Sequence, residues 1–102
     1  MTNGREMDVA RRAKLIEWLK TEMLDETARL FRGLWEGRQA SIIDSLAGLI
    51  AYSYFLARRL GVNYKELDDA VRERLEAHKR QHHQLEEWYG DISMLERHLD
   101  GR

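Results

Sequence analysis

SIIDSLAGLIAYSYFLARRL, Ser41 to Leu60, is the one stretch of the chain that is apolar nearly all the way round. Ile42, Leu46, Leu49, Ser53, Leu56 and Leu60 recur in alternating steps of four and three, which lines one helical face. Ile43, Ala47, Ile50, Tyr54 and Ala57 line the face beside it. A helix apolar on more than one face has to be covered on more than one face, so it is either the central helix of a bundle or a membrane span. Asp44, Ser45 and Ser53 interrupt a run only about as long as a short transmembrane helix, and Arg58 and Arg59 close it at one end only. The central core helix is the reading that fits.

Upstream, Met7 to Trp35 reads as helix, with Val9, Ala13, Ile16, Leu19 or Lys20, Met23 and Leu24 inward, followed by Ala28, Leu30, Phe31, Leu34 and Trp35. The apolar stripe shifts register near Leu19–Met23, which suggests either two helices joined by a bend or one long helix. No Gly or Pro lies between Met7 and Arg32, so a single long or kinked helix is expected. Met1 to about Glu6 reads as a frayed lead-in. Gly37-Arg38-Gln39 makes the turn, and Ser41 followed by Asp44 resembles a capping-box start. Downstream, Gly61 is placed to end the central helix in the left-handed conformation. Asn63, with Glu66 reaching back, opens a third helix from Tyr64 to about Tyr89, with Leu67, Ala70, Val71, Leu75, His78, His82, Leu85 and Trp88 inward. Gly90 stops it, and Asp91 caps a short final helix carrying Ile92, Leu95 and Leu99. Short connections favour antiparallel neighbours. The expected fold is all-α: a bundle of three main helices plus a short C-terminal helix, one domain over residues 1–102. Surplus apolar surface, with Trp18, Trp35 and Trp88, points to a four-helix core completed by self-association into a dimer or higher homo-oligomer.

The totals narrow the function classes. Of 102 residues, 43% are apolar and 34% charged, with no Pro, the balance of a helix-rich soluble chain. The absence of Cys excludes disulfides, thiolate catalysis and cysteine zinc sites. The N-terminal MTNGREMDVARRAK has no apolar core of a secretory signal, so a cytoplasmic protein is expected, with no membrane partner. A formal net charge of −1 gives no long-range pull on DNA or RNA, and neither is expected as a partner.

Three constellations offer chemistry. Glu22 shares a helical face with Asp25 and Glu26, and Asp44 faces them if the first two helices are antiparallel. Carboxylates on facing helices are how bundles build oxygen-rich metal sites, and Mg2+ prefers such ligands. Equally, these are acids of a charged helix surface paired with Lys20, Arg29 or Arg32. His78 and His82, four apart, have the spacing to chelate a transition metal, with His83 and Glu86 nearby; the plainer reading is a partly buried polar pair. Glu86-Glu87-Trp88-Tyr89-Gly90-Asp91 offers aromatic faces for stacking a nucleobase, or else pins the final helix to the core. No glycine-rich phosphate loop and no nucleophile elbow is present.

In DVARRAKLIEWLK (Asp8–Lys20), LARRLGV (Leu56–Val62) and EEWYGDIS (Glu86–Ser93) the chain resembles the MazG-like members of the all-α nucleoside triphosphate pyrophosphohydrolases, in particular their small bacterial branch. The resemblance implies the fold already expected, a nucleotide as ligand, and Mg2+-dependent cleavage of a nucleoside triphosphate to the monophosphate and pyrophosphate. Family enzymes hold the metal with an EExxE motif and a later ExxD motif. The first falls here either on Thr21, Glu22 and Asp25 or on Glu22, Met23 and Glu26, losing one acid either way. The second falls on Ser45 and Gly48, losing both, with Asp44 adjacent. Glu22, Asp25, Glu26 and Asp44 are thus the candidate metal ligands of a depleted site, and the alternative is a non-catalytic dimerisation, partner-binding or nucleotide-sensing module. Ala47, Gly48 and Ala51 would then serve close helix approach.

Overall fold

The computed structural model describes residues 4–101. The chain is all-α, and it divides into two compact units, Met1–Tyr64 and Lys65–Arg102.

The first unit is a helical hairpin. Helix α1 (Gly4–Glu36) is one continuous helix of 33 residues, about 50 Å long at the α-helical rise. Helix α2 (Gln39–Arg59) has 21 residues, about 31 Å. The difference leaves the start of α1 without a counterpart on α2, and every residue from Gly4 to Leu15 is exposed. Gly37, at φ +69, supplies the left-handed residue of the turn. Gly33 is buried because Ile42 crosses it closely: a Cβ there would lie 3.3 Å from Ile42 Cγ1. At the far end the Gly61 N–H bonds the Arg58 carbonyl and the Val62 N–H bonds the Ala57 carbonyl. Gly61 sits at φ +88, the left-handed helix ending expected for it. The start of α2 differs from expectation. Arg38 occupies the cap position without a side-chain cap bond, so Ser41 and Asp44 fall inside the helix, where Asp44 is taken up by Arg29.

The second unit begins with most of α3 (Tyr64–Arg80), followed by a π-helical turn, Leu85–Tyr89, and α4 (Asp91–Asp100). Its core is Leu75, Ile92 and Leu99, with Val71 against it. Lys79 Nζ bonds Glu96 at 2.9 Å, and Arg72 reaches the Leu99 carbonyl at 3.4 Å, fastening α3 to α4. The third helix is shorter than the sequence suggests. It ends at Arg80, and His82 turns to φ +54, a left-handed conformation that breaks the helical hydrogen-bond run. His83 Nδ1 then accepts from the Leu85 N–H at 3.1 Å, starting the next turn. His82 and Trp88, expected inward, are exposed. Asp91 is the first helical residue of α4 rather than its cap. Glu86 does the capping instead, accepting from the Ser93 N–H at 3.0 Å and from the Ser93 hydroxyl.

The expected covering of α2 on several faces is not met within the hairpin. Ser45 is its only buried residue, and of the apolar stretch 6% is buried. Among the described residues α2 alone has the length and apolarity of a membrane span, at a mean hydropathy of 1.4.

Candidate functional site

Counting equal numbers of residues outward from Gly37 pairs Arg29 with Ser45, Glu26 with Gly48 and Glu22 with Tyr52. That register brings polar groups to the seam between α1 and α2. Arg29 is the hub. Its Nε lies 3.4 Å from Glu26 Oε1 and donates to Ser45 Oγ at 3.1 Å. Its Nη2 donates to Asp44 Oδ2. The Glu26 side chain is only 13% exposed, and its carboxylate sits over Gly48, where any Cβ would overlap Oε2. Ser45 is fully buried beneath the guanidinium. The bond to Asp44, with Glu26 adding to it, raises the proton affinity of Arg29 further above its ordinary value.

One turn along, Tyr52 adjoins the same acids. Burial raises the affinity of its phenol for the proton, and the nearby Glu22 and Glu26 carboxylates add to this. Trp18 meets the Tyr52 ring edge-on at 5.9 Å, and Phe55 follows at 6.4 Å. Beyond them Leu15, Trp18, Leu19, Phe55, Tyr64 and the two arginines Arg58 and Arg59 line a shallow cavity of about 230 Å³.

The structure therefore brings Glu22, Glu26 and Asp44 onto one seam, strung along it by Tyr52 and Arg29, while Asp25 is exposed outside the set. These residues do not fit a magnesium ion. Mg2+ demands near-octahedral oxygens at about 2.0–2.1 Å, whereas Glu26 and Asp44 converge on a guanidinium. Among the described residues no three His, Asp or Glu side chains are grouped to hold one ion. The paired histidines separate too: with the helix ended at Arg80, His78 meets the His83 ring edge-on at 5.1 Å and His82 faces solvent beside Glu87. Gly48 serves the Glu26 carboxylate rather than an approach of two backbones. Arg29 was expected as one of three possible partners of the acids and is the one that takes them up; Ser45 was marked only as a position that had lost an acid, and Tyr52 was missed. The Glu26–Arg29 spacing of three and the turn register carried the signal for the first two; nothing local marks Tyr52.

A sequence model of the MazG-like family matches residues 9–92, from the second turn of α1 into the first turn of α4. No curated protein and no solved structure matches the chain significantly.

Proposed function

The chain belongs to the MazG-like family, and from that premise we propose that it works as a self-associating, non-catalytic helical module. The supporting observation is the apolar surface of the hairpin. Leu24, Phe31 and Trp35 recur on one face of α1 and are 73%, 64% and 91% exposed. Ile43, Leu46 and Ile50 do the same on α2. With about 100° per residue, Leu30 and Leu34 lie on the flank of α1 turned away from Asp25, and Leu46 and Leu49 on the flank of α2 turned away from Asp44. The apolar side chains thus cover that flank and the outer faces of the hairpin, away from the seam that Glu26 and Arg29 hold. Each such side chain gains about 1.5–3 kcal/mol on full burial, and contiguous apolar patches of this kind mark interaction surfaces. A second copy laid flank to flank makes a four-helix core and uses the same patch twice.

Light scattering across micromolar concentrations tests this. A dimer or larger closed assembly is the expected result. A monomer at those concentrations, or a monomer that partitions onto lipid vesicles, overturns it. A second reading, a nucleoside triphosphate pyrophosphohydrolase with a reduced acidic set, is favoured by Glu22 and Glu26 lying on one seam beside Tyr52. Incubation with the common NTPs and dNTPs plus Mg2+ or Mn2+ decides between them: pyrophosphate release that is lost in Glu22→Ala supports the second reading and excludes the first.

A further inference from the structure

We infer that Arg29 is the resident cation of the hairpin seam, standing where carboxylates from two helices would otherwise call for a divalent ion. Glu26 is largely withdrawn from water, and a carboxylate in that position needs a compensating charge. Arg29 supplies it from the next turn of the same helix and reaches across to Asp44 and Ser45 on α2. Its planar fork spans acceptors on both helices at once, which a lysine point charge does not. It never loses its proton under biological conditions, so the compensation is permanent.

The small residues opposite belong to the same device. Ser45 leaves room for the guanidinium and accepts from it, and Gly48 leaves room for the Glu26 carboxylate. A larger acidic side chain at either position would contend for space that Arg29 and Glu26 already fill. Two consequences follow. The carboxylates are satisfied without metal, and the guanidinium, flanked by two carboxylates, is spent as a phosphate receptor. The seam is closed to both halves of a metal–triphosphate complex. This holds whatever the oligomeric state.

The test is Mn2+ titration of the full chain, read by the spin-resonance signal of free Mn2+ and by melting temperature with and without the metal. The wild type is expected to show no saturable binding and no change in melting temperature with Mn2+ or with a chelator. Arg29→Met is expected to melt lower than the wild type and to gain saturable Mn2+ binding that raises its melting temperature, since two uncompensated carboxylates then seek a cation. Arg29→Met combined with Glu26→Gln removes both charges; it is expected to melt above the single variant and to lose the Mn2+ binding. Saturable Mn2+ binding by the wild type that disappears in Glu26→Gln overturns the inference. So does an Arg29→Met protein that melts like the wild type, or a double variant no more stable than the single one. If Arg29→Met does not fold, the wild-type titration and the double variant still decide.

Discussion

In the C-terminal unit, Leu75, Ile92 and Leu99 meet one another and leave water. In the hairpin Leu19 and Ser45 are the buried side chains among the described residues, while Leu24, Phe31, Trp35 and Ile50 stand in solvent. The two units thus differ in what they bury: three aliphatic side chains in one, a leucine and a serine beneath an ion pair in the other. The C-terminal unit turns aliphatic groups inward and fastens its outside with Lys79–Glu96 and Arg72–Asp100. The hairpin puts its ion pairs between its helices and its aliphatic groups outside. A charged seam holds two helices in register but contributes little net burial, and on the proposed self-association the second copy supplies the rest.

Four measurements press on that contrast, from the largest effect to the smallest. Ile50→Asp places a charge on the apolar flank in both copies of a symmetric pair. The loss of about 3–6 kcal/mol over two sites corresponds to association weaker by roughly 100-fold or more, read as a shift to monomer mass in light scattering. Ile92→Ala empties part of the closed core. It is expected to cost about 2–5 kcal/mol in denaturant unfolding and to leave the assembly mass unchanged, the opposite pattern to Ile50→Asp. Gly48→Ala drives a Cβ into the Glu26 carboxylate. Because Arg29 pins that carboxylate, the overpacking is expected to cost about 1–3 kcal/mol, and Glu26→Gln in the same chain is expected to recover part of it. The smallest effect is the acid response of the C-terminal unit. Bonds from the Ser93 side chain and N–H lower the proton affinity of Glu86 in the folded chain. Its contribution is therefore complete at neutral pH and is lost as pH falls through the ordinary glutamate range into the lowered one. The melting temperature of Glu86→Gln is expected to lie below the wild type at pH 7 and to converge with it in acid.

Much of this was legible in the chain. The helical repeats of Met7–Trp35 and Ser41–Leu60 and the left-handed ending at Gly61 are local properties, and the antiparallel turn at Gly37 followed from composition. Less legible was where polar atoms would go. Asp44 reads as a capping residue or a metal ligand from its neighbours, and only the pairing across the turn hands it to Arg29. The break after Arg80 was equally hidden. His82 carries no strong breaking signal, and its left-handed backbone is held by the bonds that His83 makes on the far side. Trp88 was expected inward because its spacing continued the stripe of α3, but a helix that has already ended no longer sets the face. Of the candidate acids, the spacing grouped Glu22 with both Asp25 and Glu26, whereas Asp25 is exposed and the other two are half-buried, and it could not tell a cation bound from outside from one built into the chain.

The exposed first turns of α1 add something about geometry. An isolated helix of so few turns is marginal in water, so Gly4–Leu15 holds its helical form only as well as its surroundings support it. Amide exchange along this arm is therefore a ruler for assembly. If a second hairpin lies alongside over the full length of α1, protection extends to the earliest turns; if it meets only the length that α2 covers, protection fades from about Leu15 towards Gly4. The overhang converts a question of relative placement into a gradient that can be read residue by residue in solution.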